Sequence, residues 1–168
     1  MAVTLHEVSI PTFKRYLKNV DTFMSKAEAW ARENGRDPES FLEARLAPDM
    51  NTFARQIQSC SDTAKGPVAR LTGQPSPAME DNETTLAELH ERIAKTIAYL
   101  DSVTPEMTDG DDDRIVELKT PNNTFTFKAR DYITGFAMPN FLFHVSAAYM
   151  ILRNQGAPLG KLDFLGGI

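Results

Sequence analysis

Apolar residues recur at three- and four-residue steps along four long stretches of the chain, and alternate at two-residue steps in one short stretch before the last of them. From Ser9 to Gly35, Phe13, Tyr16, Leu17, Val20, Phe23, Met24, Ala27, Trp30 and Ala31 fall on one helical stripe. Ser9 suits its cap, Pro11 its first turn and Gly35 its end. Residues 37–50 read as a short helix and turn, capped by Asp37 or Ser40 and stopped by Pro48. Asp49 then reads as the cap of a second helix to Gly73, with Met50, Phe53, Ile57, Cys60, Ala64, Val68 and Leu71 as its apolar positions. Gly66-Pro67 predicts a kink or break within it, because proline removes a backbone donor and crowds the preceding turn.

Prolines mark residues 74–83 as a loop. Thr85 with Glu88 three residues on forms a capping-box signal for a third helix, on which Leu86, Leu89, Ile93, Ile97 and Leu100 face one way. His90 lies off that stripe and reads as solvated. An acidic loop follows. About residues 114–128, the period changes to two, with Pro121-Asn122-Asn123 as turn chemistry, so a β-hairpin is expected. A hairpin alone is marginal and must lie against the helices. The last helix runs from Ala129 to Gly156, with a break expected at Pro139 and a buried line of Phe143, Ala147, Met150 and Ile151, flanked by Phe141, Val145 and Leu152. The tail, residues 157–168, holds Leu159, Leu162, Phe164 and Leu165 and is too apolar to be left in water. It is expected to dock on the bundle or on a second subunit. The pattern as a whole predicts an all-α four-helix bundle with a small β-hairpin before the last helix.

At 168 residues, 42% hydrophobic and 24% charged, the chain fits a single domain, 1–168, with one core. The formal net charge of −5 argues against a nucleic-acid partner. The one cysteine, Cys60, excludes an intrachain disulfide and fits a reducing compartment. Neither a secretory pattern at the start nor an apolar stretch long enough to span a bilayer is apparent, so cytoplasmic residence without a membrane partner is expected.

Asn140 and His144 are four residues apart and share one side of the last helix. If the bundle brings Gln56 of the second helix opposite, a Gln56/Asn140/His144 cluster results. Such a cluster forms either a hydrogen-bonded polar layer or a pocket for a small ligand. Amides are weak ligands for zinc, which favours His, Cys or carboxylate. The expectation is therefore no cofactor, with zinc or nickel on His144, Gln56 and Asn140 as the alternative. Cys60 sits on an apolar stripe and reads as a small hydrophobe. His6 reads as exposed. The acidic run Asp109, Asp111, Asp112, Asp113 completes no calcium loop, and no nucleophile elbow or glycine-rich phosphate loop is present.

The stretches "PNFLFHVSAAYMILRNQG", "APDMNTFARQIQSCSDTAK" and "GAPLGKLDFLG" resemble a bacterial family of unknown function in the DinB/YfiT-like superfamily of metalloenzymes. The resemblance implies an up-down-down-up four-helix bundle, often a homodimer. Superfamily members with a complete site hold a divalent metal with three histidines, one from the second helix and two, spaced H-x-x-x-H, from the last. Some use it to activate a low-molecular-weight thiol. In that likeness the second histidine of the pair falls on His144, the first on Asn140, and the helix-two histidine at or near Gln56. Two of three ligands are then amides. The leading functional reading is a small-ligand binder with a degenerate metal site. A metal- or thiol-dependent transferase or hydrolase is one alternative, and a dimeric structural or interaction protein with no chemistry is another.

Overall fold

A computed structural model describes residues 3–167. Four helices carry the fold: α1 (Leu5–Glu33), α2 (Phe53–Thr72), α3 (Leu86–Asp101) and, after the short α4 (Pro105–Thr108) and α5 (Ala129–Asp131), α6 (Met138–Asn154). A π-helical stretch, Tyr132–Ala137, joins α5 to α6, and α7 (Lys161–Leu165) lies in the tail.

Side-chain pairs give the topology. Phe13 packs edge-on to Phe141 and Phe23 to Tyr149, so α1 and α6 run parallel. Gln56 meets His144 and Arg70, further along α2, meets Tyr132 just before α6, so α2 and α6 are antiparallel. Lys14 meets Asp101 while Asp21 and Glu28 meet His90, so α1 and α3 are antiparallel. The order is up-down-down-up, and the 73–85 segment is the crossover that parallel α2 and α3 require. This is a four-helix bundle. Phe13, Leu17, Phe23, Phe53, Ile57, Leu89, Ile93, Phe141 and Val145 are fully buried in one core.

The hairpin is present. Strand β1 (Ile115–Lys119) pairs antiparallel with β2 (Thr124–Lys128), Ile115 opposite Lys128 and Lys119 opposite Thr124. Val116 and Phe127 turn to a second cluster with Leu5, Leu71, Tyr132 and Ile133, which fastens the hairpin to one end of the bundle.

Several expected boundaries move. The first helix starts at Leu5, not after Ser9. Thr4 and Glu7 form a reciprocal capping box, and Pro11 sits two turns inside. Ser9 is buried and donates its hydroxyl to the Leu5 carbonyl. Thr52, not Asp49, caps α2. That helix runs unbroken through Pro67 to Thr72, where Gly73 closes it in the left-handed conformation. In the last helix the irregular part is the π stretch, which leads without a break into α6, and Pro139 is the second residue of α6, so the helix passes through the proline and is not broken by it. The buried line of α6 is Phe141, Val145, Ala148 and Leu152. Ala147 and Ile151 are buried as expected, but Phe143 and Met150 face solvent. The helix is apolar almost all round, so its periodicity carries little information about phase.

The tail docks on its own bundle. Ala157 and Leu159 are buried, and Phe164 packs against Tyr16 and Tyr149. Arg15 donates to the carbonyls of Leu165 and Gly167, Asn19 donates to Phe164, and Lys26 pairs with Asp163. Contrary to the sequence reading, one helical run, Ala129–Asn154, is long and apolar enough to cross a membrane by length and composition. Here it supplies the fourth wall of the bundle.

Candidate functional site

Gln56 belongs to the apolar stripe of α2 with Phe53, Ile57 and Cys60, and is 1% exposed. A buried amide needs partners. The Gln56 Oε1 lies 2.8 Å from His144 Nδ1 across the α2–α6 contact. The amide oxygen accepts, so Nδ1 carries the proton and Nε2 keeps its lone pair. Burial holds the His144 pKa below the usual histidine range, and the Arg55 charge pushes it further down. The ring is therefore neutral at pH 7. Phe143 stands edge-on to it, ring centroids 5.3 Å apart.

Asn140 lies one turn earlier on α6 and is half-buried. Among the described residues its side chain makes no hydrogen bond with the pair or with anything else. The structure thus brings Gln56 and His144 into contact and leaves Asn140 beside them.

Two polar constellations were missed in the sequence. His90 is not solvated in the ordinary sense. Its Nδ1 lies 2.5 Å from Asp21 Oδ1 and its Nε2 2.7 Å from Glu28 Oε1, both on α1. Burial lowers its pKa, but the two carboxylates outweigh this and raise it. Arg92 is 3% exposed. Its guanidinium binds Asp62, Asp81 and Glu83 and the Glu80 carbonyl, so that α3 grips both α2 and the crossover. Arg55 also pairs with Asp81, and Gln58 donates to Glu83. A polar cavity of about 480 Å³ opens beside this network, between the crossover and α3, and shares no lining residue with the Gln56–His144 pair. A buried Arg in an apolar-patterned helix is the one sequence signal that could have flagged the network. Nothing local ties His90 to α1.

The remaining candidates have structural partners. The His6 amide donates to Asp109 and its ring meets the Thr108 hydroxyl. Asp113 pairs with Lys128 and Arg130. Cys60 is buried, and desolvation pushes its thiol pKa far up, away from thiolate chemistry.

The donor set does not fit a transition metal. It offers one imidazole, whose Nδ1 is already bonded, and two amides, with the Arg55 cation near enough to depress the imidazole pKa. Among the described residues no three His, Cys, Asp or Glu side chains gather as a metal site would require.

The comparisons with known proteins agree with the architecture. The sequence pattern of the family given as a domain of unknown function (DUF1993) matches residues 5–165. No curated protein matches the chain. Among solved structures, a DinB family member protein from Shewanella denitrificans is similar over 98% of this chain and 93% of its own, at 36% identity and a TM-score of 0.89. With the family pattern spanning nearly the whole chain and a DinB family structure superposing on all four helices, the chain belongs to the DUF1993 family and is DinB-like in fold.

Proposed function

We propose that the protein binds a small polar ligand, without a metal, at the half-exposed imidazole of His144. The observation that carries this reading is the 2.8 Å contact between His144 Nδ1 and the buried Gln56 Oε1. An imidazole held in one tautomer by an orienting partner presents Nε2 as a fixed acceptor. A neutral ring in that state accepts a hydrogen bond from an N–H or O–H of the ligand, and the Phe143 edge beside it supports an apolar portion. The Asn140 amide, which has no hydrogen-bond partner among the described residues and lies one turn away, offers a second donor or acceptor to the same ligand. The setting expected for this is the cytoplasm.

A polar layer without a ligand is the rival, because Gln56 is satisfied by His144 whether or not anything binds. The two readings differ in what a variant does. Titration of the native protein with a fragment library, followed by the His144 ring signals in NMR, is expected to shift Nε2 for at least one compound class. His144→Ala is expected to abolish the response and keep the helical content. If no compound moves the His144 ring, and His144→Ala lowers only the melting temperature, the polar layer is the better account. Elemental analysis of chelator-free protein tests the metal alternative: near-stoichiometric zinc or nickel would revive a metal- or thiol-dependent transferase reading anchored on His144.

A further inference from the structure

The polar cavity beside the Arg92 network has residues 77–83 of the crossover as one wall and the outer side of α3, with Glu88, Glu91 and Lys95, as the other. Of the residues that line it only Arg92 is buried, so Arg92 forms its floor. At about 480 Å³ the cavity is of the size that small-molecule sites take.

Its charges do not balance. Glu80, Glu83, Glu88 and Glu91 line it against Arg92 and Lys95. Glu83 is engaged at both oxygens, one accepting from Arg92 Nη1 at 2.8 Å and the other from Gln58 Nε2 at 2.9 Å. Lys95 Nζ lies 2.7 Å from Glu91 Oε1. That leaves Glu80 and Glu88, neither of which pairs with a cation among the described residues. Each uses a single oxygen, Glu80 accepting from the Asn82 amide and Glu88 from the backbone of Thr84 and Thr85. The other oxygen of each is open to a positive charge, and the excess of carboxylates opposes an anion.

A second observation comes from the floor. Arg92 Nη1 and Nη2 donate to Glu83, Asp62, Asp81 and the Glu80 carbonyl, but the buried Nε has no hydrogen-bond partner among the described residues. Buried donors are rarely left so, and an acceptor that arrives there recovers the free energy that the unpaired N–H costs. A guanidinium nitrogen only donates, so the complementary ligand atom is a carbonyl or hydroxyl oxygen. Pro77, Ala78 and Met79 line the remainder and suit a short hydrocarbon portion. A bare metal ion fits less well, because among the described residues no three carboxylates gather as ligands and the Arg92 charge opposes it.

We propose that this cavity binds a small organic ammonium ion that also carries a carbonyl or hydroxyl oxygen. The ammonium is held by Glu80 and Glu88, and the oxygen accepts from Arg92 Nε. An amino-acid amide has both groups on one short skeleton. The site is separate from His144 and stands whether or not that residue binds a ligand.

Leucinamide is the probe. Titrated into the native chain, it is expected to move the Arg92 Nε–Hε cross-peak in proton–nitrogen NMR, with a dissociation constant in the millimolar range. Isoamylamine keeps the ammonium and the apolar portion but lacks the carbonyl; it is expected to bind more weakly and to leave that cross-peak in place. N-acetylleucinamide lacks the charge and is expected to bind at least tenfold more weakly than leucinamide. The E80Q/E88Q variant is expected to weaken leucinamide at least tenfold and to keep the native circular dichroism, since glutamine also serves in a capping box. His144→Ala is expected to bind leucinamide as the native chain does. An Arg92 cross-peak indifferent to leucinamide overturns the inference. So does N-acetylleucinamide that binds as tightly as leucinamide, or an E80Q/E88Q variant of native affinity. Leucinamide that moves the His144 ring and not Arg92 would assign the amine to the other site and overturn the reading of this cavity.

Discussion

His90 and His144 answer pH in opposite senses, and their surroundings say why. For His90 the folded pKa is raised by Asp21 and Glu28, above an unfolded value of roughly 6.5. Its contribution is therefore complete below the unfolded value and fades as pH rises through the folded one. His90→Gln is expected to lower stability by about 1 kcal/mol near pH 6, with partial exposure taken into account, and by much less near pH 9. Urea unfolding at the two pH values checks this; an equal loss at both would show that the clamp works without charge. For His144 the folded pKa is depressed, so its contribution is complete above roughly 6.5 and is lost as pH falls through the folded value. In an NMR titration the His144 ring is expected to protonate at lower pH than the His90 ring. The reverse order would contradict both environments. The four-residue step on the last helix made Asn140 and His144 visible as candidates, and likeness to a family pointed to Gln56 on the second helix. His90 was invisible because its partners sit 69 and 62 residues away on another helix.

Elements are fastened to one another here by a few polar anchors. Arg92 ties α3 to α2 and to the crossover through three carboxylates, two of them only partly buried. Arg92→Ala leaves these charges facing each other and is expected to cost about 3 kcal/mol in equilibrium unfolding. A loss below that of an ordinary surface substitution would mean that the carboxylates rehydrate freely. At the tail, Gly166 holds φ at +80°, and a side chain there would strike Asn19. Gly166→Ala is expected to cost about 1–2 kcal/mol and to open the tail to proteases. Limited proteolysis that leaves the variant tail as resistant as the native one would sink that expectation. Element type was legible from period for the four long helices and the hairpin, while the short α4 and α7 fell in segments read as loop and tail. Boundaries were less so. The Thr4-x-x-Glu7 capping box was present in the sequence, but Pro11 was read as a first-turn residue and shortened α1. The phase of α6 was lost for a different reason: a helix apolar on nearly every side gives periodicity nothing to contrast.

At the scale of the molecule, the four stripes specify a bundle but say little about the order of its helices. The up-down-down-up arrangement was readable only by likeness to a family, since it depends on long-range pairs such as Phe13 with Phe141 and Arg70 with Tyr132. The candidate site is similar. Spacing placed Asn140 and His144 on one helix, and only the packing of α2 on α6 decided that Gln56 meets His144 while Asn140 stays apart. The tail completes the assembly by covering apolar surface on α1 and α6. Truncation after Gly156 is expected to expose the flanks of Tyr16 and Tyr149 and to yield protein that binds a hydrophobic dye or precipitates; a truncated chain as soluble and as heat-resistant as the native one would show the tail to be dispensable.

The clasp of Arg15 and Asn19 on the backbone of residues 164–167 joins the first helix to the last residues described. During synthesis, α1 leaves the ribosome first and its polar grips stay empty until translation reaches the tail. The bundle therefore cannot close helix by helix as it emerges, and its cover arrives only when the segment after Gly156 has cleared the exit. For most of its synthesis the chain carries an uncovered seam along α1, where Tyr16 waits for Phe164.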